Sequence, residues 1–194
     1  MKIPTVLIVP GLRDHAPQHW QTLLEERLRE AGKPVTSVPP MGRNDLDCGA
    51  KVAAIERVAQ SLAGPIVILA HSAGCIMVVH WARQTKRAVH GALLAAPPDF
   101  ERPMPEGYPT LEALRVAGWL PVPREQLPFR SIVGSSRNDP LGTQERVSEF
   151  ARAWGSETVD LGEVGHLNPA SGFGPWPMAE DLIARLTTGQ AIAP

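Results

Sequence analysis

The chain is short of everything that would commit it to a specialised environment. Of 194 residues only two are cysteine and one is tyrosine, aromatics make up 5%, and 19 Lys+Arg nearly cancel 20 Asp+Glu to leave a net charge of −1. Without a basic excess there is little to neutralise phosphates, which argues against nucleic acid as the main partner and against an anionic membrane surface. The longest apolar runs, Ile66 to Ala70 and Ala92 to Ala96, fall far short of the roughly 20 residues a membrane span needs. Cys48 and Cys75 stand singly, and Met1-Lys2-Ile3-Pro4 runs straight into a strand-like segment with no secretory pattern. Two free thiols and no export signal lead to the expectation of a cytoplasmic protein. No G-x-G-x-x-G follows the first strand and no G-x-x-x-x-G-K-[ST] occurs, so nucleotide chemistry is not expected. Asp14, His15 and His19 lie close together in sequence but form no complete ligand set with known spacing, so neither a metal nor another cofactor is expected.

What is present is an ordinary globular composition, 43% hydrophobic and 20% charged in 21.0 kDa, enough for one sizeable core. Residues 1–194 read as a single domain. Glycine (17) and proline (20) are spread along the chain and punctuate many short elements. Thr5 to Val9, Val35 to Val38, Ile66 to Ala70, Val89 to Ala96, Phe129 to Gly134 and Glu157 to Leu161 read as six strands. Helical spacing predicts helices over Gln18 to Ala31, from Asp45 or Asp47 to about Leu62, Ala73 to Gln84, Leu141 to Trp154 and Met178 to Thr187. The stretch from Pro98 to Pro128 is Pro-rich with only a helical scrap at Thr110 to Ala117, and is expected to be a lid-like excursion over a cleft. The tail from Gly189 is expected to fray. Continuous apolar strands alternating with helices predict an α/β fold with a parallel sheet covered on both faces. In such sheets, reactive groups gather beyond the carboxyl ends of the strands.

Ala70-His71-Ser72-Ala73-Gly74 sits between a strand and a helix. That is the context of a nucleophile elbow, where a sharp turn exposes a serine and small neighbours let strand and helix approach. The usual pattern G-x-S-x-G has glycine where this chain has Ala70; an ordinary helix cap is the alternative use of Ser72. Serine needs a base. His166 follows the sixth strand and shares the sheet edge with Ser72. Of the other histidines, His80 and His90 lie away from that edge, His71 is too close along the chain to serve its neighbour, and His15 and His19 remain as competitors. A carboxylate must orient the base. Asp139, just after the fifth strand, is favoured; Asp99, after the fourth, is the rival, and Asp160 sits within a strand. The order Ser72, Asp139, His166 matches the α/β-hydrolase order. Oxyanion donors are expected from the backbone N–H of Ala73 and, after the turn at Gly11, of Leu12.

With these residues in view, the sequence resembles the α/β-hydrolase superfamily, and more narrowly the small serine hydrolases typified by retinoblastoma-binding protein nine and its bacterial relatives. The resemblance rests on Val9-Pro10-Gly11-Leu12, Pro17-Gln18-His19-Trp20-Gln21, the elbow, Ser135-Ser136-Arg137-Asn138-Asp139-Pro140, Gly165-His166-Leu167-Asn168 and Ser171-Gly172-Phe173-Gly174-Pro175-Trp176-Pro177. It implies six parallel strands in the order 2-1-3-4-5-6, with Ser72 as nucleophile, Asp139 as acid and His166 as base, but gives no substrate. Trp119, in the excursion, and Trp176 are candidates to line the cleft. The expected activity is hydrolysis of a small ester, thioester or amide through an acyl-enzyme. The alternatives are an acyltransferase using the same residues, or a binding protein in which they stand idle. The sequence names no protein partner.

Overall fold

Six short apolar runs can bury both of their faces only if helices cover the sheet on each side. In the computed structural model, which describes residues 3–13 and 15–188, they do so. Strands β1 (Thr5–Val9), β2 (Val35–Ser37), β3 (Ile66–His71), β4 (Val89–Ala95), β5 (Ser131–Ser135) and β6 (Glu157–Asp160) form one parallel sheet in the order β2-β1-β3-β4-β5-β6. The apolar strand pattern predicts such a parallel sheet, and its order is the one the family resemblance implies.

The alternation of strand side chains divides the core in two. Leu7, Val9, Ile66, Ile68, Ala70, Ala92, Leu94 and Val133 face one side, where α2 (Cys48–Ser61), α3 (Ala73–Ala82) and α5 (Gln144–Trp154) pack. Val6, Ile8, Val67, Leu69, Leu93 and Ile132 face the other, closed by α1 (Trp20–Glu30) and α6 (Met178–Thr188). Helix α3 is apolar nearly all round, and of its residues only His80 escapes full burial. Such a helix needs cover on every side, and it lies between the sheet and α2.

Two helix starts differ from the spacing-based reading, and both differences bear on the site. Helix α1 begins at Trp20, because His19 is extended and its imidazole Nδ1 accepts the Gln21 N–H as a cap. Helix α5 begins at Gln144, capped by Thr143, which frees 139–142 to form a turn after β5. The Pro-rich stretch 98–128 carries α4 (Leu111–Val116) and is anchored by Phe100, Leu114, Trp119, Val122 and Leu127 in the first core. It is therefore built into the domain along much of its length. The tail from 189, like Met1, Lys2 and Asp14, lies outside the described residues.

Candidate active site

Beyond the carboxyl edge of β3 the chain makes a tight turn at Ser72. Ser72 has φ 55° and ψ −131°, a region that L-residues with a Cβ rarely occupy. The turn is held from both sides. The Ser72 N–H donates to the Ala95 carbonyl, and the Cys75 N–H to the Ser72 carbonyl. Helix α3 then passes so close to β1 that a Cβ on Gly74 would lie 2.5 Å from the Val9 oxygen and 2.7 Å from the Pro10 oxygen. Only glycine permits that approach. Ala70, by contrast, faces the core within β3, where its methyl is fully buried; a small residue suffices there. The Ser72 hydroxyl does not cap its helix. It lies 2.8 Å from His166 Nε2.

His166 reaches this position from the loop after β6, and its ring is held by Asp139, whose Oδ2 and Oδ1 lie 2.8 and 3.0 Å from Nδ1. Asp139 also accepts the Leu141 N–H at 2.9 Å. Both side chains are buried. The carboxylate thus fixes the proton on Nδ1 and leaves Nε2 free to accept from the serine. The three groups come from the ends of three different strands.

The rival acid does something else. Asp99 is buried and faces α5, where Arg146 Nε meets its Oδ2 at 2.8 Å, and Arg102 Nε approaches the same oxygen at 3.4 Å. Asp160 pairs with Arg137 at the surface. The competing histidines are likewise engaged elsewhere, His15 with the Val38 carbonyl, His80 with that of Trp119 and His90 with that of Thr187. Of the three residues weighed as metal ligands, Asp14 falls outside the described residues, and His15 and His19 hold backbone atoms.

Sequence reasoning missed the residues that position the histidine loop. Asn138 Oδ1 accepts the Gly165 N–H at 2.7 Å, Ser136 Oγ that of Val164 at 3.3 Å, and Ser171 Oγ that of His166 itself at 3.0 Å. Leu167, at φ 48°, buries its side chain fully in the second core. His71 completes the clamp, with Nε2 donating to the His166 carbonyl at 2.9 Å. Its ring lies 5.0 Å from that of His166 and 4.7 Å from that of His19. Burial holds the His71 pKa well below its ordinary value, and the neighbouring His166 and His19 push the same way. His19 is lowered to about 4, chiefly by burial and then by His166 and His15. A neutral His71 keeps its donor on Nε2 and adds no positive charge beside His166. The motif strings contain these residues, but apart from the Ser171 contact, 5 positions away, local spacing carries no sign of contacts that span 27 to 95 positions.

Ser72 and His166 open on a cleft of about 260 Å³, also lined by Gly11, Leu12, Ala73, Phe100 and Met104. Ala73 opens α3, so its N–H has no intrahelical acceptor. Neither tryptophan named from the sequence lines the cleft. Trp119 is fully buried, edge-on to Phe100, with Nε1 donating to the Leu46 carbonyl at 2.7 Å. Trp176 packs edge-on against Trp20 at 4.7 Å in the opposite core layer. Large buried aromatic area makes both of them core anchors, and Trp119 has its N–H satisfied as well. Phe100, Met104 and Tyr108 of the 98–128 stretch line the cleft instead. The two thiols are also structural. Burial raises Cys48 to about 11 and pushes Cys75 well above its ordinary value, which leaves both protonated and unreactive.

Residues 6–185 match the family model described as serine hydrolase. The chain belongs to the serine hydrolase family. A YdeN-like hydrolase from Pectobacterium atrosepticum is similar in structure, at 30% identity and TM-score 0.79 over 94% of this chain and 90% of that one. The ydeN gene product of Bacillus subtilis shares the fold at 16% identity and TM-score 0.70, covering 94% of this chain and 98% of its own. Est1E from Butyrivibrio proteoclasticus does so at 14% and 0.68, covering 95% and 88%. No curated protein matches the sequence. Among the described residues of this serine hydrolase no helix is long and apolar enough to cross a membrane.

Proposed function

We propose that this serine hydrolase cleaves a small ester, thioester or amide by way of an acyl-enzyme, in the manner of a carboxylesterase, with Ser72, His166 and Asp139 as its catalytic triad. The observation that carries the proposal is the unbroken chain of contacts from Asp139 through His166 to Ser72, 2.8 Å at each link, on a strained turn that opens into a cleft. In the first half-reaction Ser72 Oγ attacks the substrate carbonyl carbon as its proton passes to His166 Nε2. The carbonyl oxygen becomes an oxyanion beside the N–H groups of Leu12 and Ala73, both on the cleft wall. As the carbon–heteroatom bond breaks, His166 returns the proton to the leaving group. Water then attacks the acyl-serine and gives a proton to His166. The carboxylic acid departs and Ser72 recovers its hydrogen. Asp139 holds the imidazole and stabilises the transient imidazolium, and the neutral His71 spares that imidazolium a neighbouring charge.

The modest cleft, walled by Phe100 and Met104, favours a small-molecule substrate with a short, partly apolar acyl group. The motif residues that line the cleft, among them Gly11, Leu12, His19, Gln21, Ser72 and His166, favour the narrower kinship with hydrolases of the retinoblastoma-binding protein nine type. The test is an ester panel of graded chain length on wild type and Ser72→Ala, together with labelling by a fluorophosphonate. Wild type should turn over short esters and take the label at Ser72, and both should vanish in the variant. Folded wild-type protein that takes no label and hydrolyses nothing would instead favour the idle-scaffold alternative.

A further inference from the structure

The cleft does not end at the serine. A second cavity of about 390 Å³ shares Leu12, Arg13, Arg43 and Tyr108 with the first, so the two adjoin, with two arginines where they meet. Elsewhere in the chain the arginines are mostly held by carboxylates, as Arg146 is by Asp99 and Glu101, Arg124 by Glu101 and Arg137 by Asp160. Among the described residues Arg13 and Arg43 have no such ion pair. Their neighbourhood is nevertheless organised. The Arg13 guanidinium sits over the Tyr108 ring, 5.1 Å from its centroid. The loop that leads to Arg43 is tied down by Lys51, a buried lysine whose Nζ donates to the carbonyls of Met41 and Gly42 at 3.2 Å each. Asn44 adds an amide to the same cavity wall.

Two guanidinium groups without a carboxylate partner among the described residues, one laid on an aromatic face and the other at the end of a tethered loop, make a fork for a planar anion. We propose that Arg13 and Arg43 are specificity-determining residues and that the substrate is an ester carrying a carboxylate at the end remote from the scissile bond. This inference rests on the hydrolase reading and gives it a substrate class. The near-neutral chain as a whole would not attract an anion, so the selectivity is local to the two cavities. The carboxylate could belong to the acyl part, as in a dicarboxylic half-ester, or to the alcohol part; the chemistry recognised is the same.

The experiment pairs neutral and anionic substrates on each side of the ester bond. p-Nitrophenyl butyrate is compared with p-nitrophenyl hemisuccinate, and phenyl butyrate with 4-carboxyphenyl butyrate, on wild type, Arg13→Gln, Arg43→Gln and the double variant, with melting curves to confirm that each is folded. In at least one pair, wild type should favour the anionic member by about tenfold in kcat/KM, the size expected of a few partly exposed charged contacts. The double variant should lose that preference, its kcat/KM on the anionic member falling to a level comparable with its kcat/KM on the neutral one. The wild-type preference should also shrink as salt rises to about 0.5 M, a readout that needs no variant. Activity on neutral esters with no anionic preference in either pair, or a preference that survives the double variant unchanged, overturns the inference alone. Wild-type protein inert toward every ester overturns the hydrolase reading and this inference with it.

Discussion

Replacing Ser72 by alanine and by glycine separates the chemistry of the hydroxyl from the strain of the turn. At φ 55° and ψ −131°, any residue with a Cβ sits in a sparsely populated region that costs about 1 to 3 kcal/mol. Alanine keeps the Cβ and so keeps that cost; glycine removes it. Both variants lose the hydroxyl and leave His166 Nε2 without the same partner, so the difference between them isolates the backbone. Against the relief stands the extra freedom of glycine in the unfolded chain, about 0.4 to 1 kcal/mol. The net expectation is that Ser72→Gly is more stable than Ser72→Ala by about 0.5 to 2 kcal/mol. At about 2 to 4 °C per kcal/mol for a chain of this size, that is a Tm higher by about 1 to 8 °C. Calorimetry or urea midpoints on the two variants read it directly, and an ester assay should find both inactive. If Ser72→Gly melts at or below Ser72→Ala, the turn is not a store of strain, and the account of the elbow given above is wrong.

Asp139→Asn should leave the fold intact, because its side-chain oxygen can still accept the Leu141 N–H, yet lower kcat on the order of 10³- to 10⁴-fold through loss of the fixed imidazole tautomer; an ester assay showing less than a tenfold loss would contradict the assignment. Asp99→Asn should behave in the opposite way, weakening the grip of Arg146 and lowering the unfolding free energy from urea titration by about 1 to 3 kcal/mol while sparing most activity. Gly74→Ala places a methyl 2.5 Å from the Val9 carbonyl, which backbone cannot easily yield; about 1 to 3 kcal/mol of destabilisation and a kcat loss of about 10²-fold from a shifted elbow should appear together in melting curves and rate assays. For pH, His71 and His19 have folded pKa values below the unfolded value of about 6.5, with His19 at about 4. The unfolded chain therefore binds more protons as pH falls below about 6.5, and the stability present above that pH is lost toward pH 4. Wild-type Tm should fall between about pH 7 and pH 5, and His71→Gln should flatten that fall even if its Tm at neutral pH is lower; an unchanged slope would argue against a buried neutral His71.

Much of this arrangement is legible from the chain alone, for physical reasons that differ by element. A strand buried on both faces reads as an unbroken apolar run, so Ile66 to Ala70 and Ala92 to Ala95 could be located from composition. Helix α3 reads as apolar throughout because the sheet and α2 enclose it. Helix starts were less legible where a side chain unexpected in the role supplies the cap: His19 holds the Gln21 N–H, and spacing alone would have carried the helix back to Gln18. The tryptophans failed for a related reason. A Trp in a Pro-rich excursion suggests an exposed lid, but the value of burying so large a side chain drew Trp119 into the core, and the smaller Phe100 and Met104 were left to line the cleft.

The candidate triad was legible because each member sits just beyond a strand end, a position that topology turns into proximity. Its precision was not. Asp139 lies 27 residues from His166, and Ser72 lies 94. What brings them within 2.8 Å is a second set of contacts among residues that show no chemistry of their own. Asn138 and Ser136 receive the backbone of the histidine loop, Ser171 receives His166 N–H, and Leu167 pins the loop into the core. His71 is the most telling of these. Adjacent to the proposed nucleophile Ser72, it was set aside because it cannot act on its own neighbour. The same turn that points its ring away from Ser72 aims it at the carbonyl of His166. Strand β3 therefore delivers one side chain to the chemistry and the preceding one to the partner that chemistry requires. A change that shifts the elbow must then disturb Ser72 and His166 together, which is why a methyl on Gly74 is expected to act on rate as strongly as on stability.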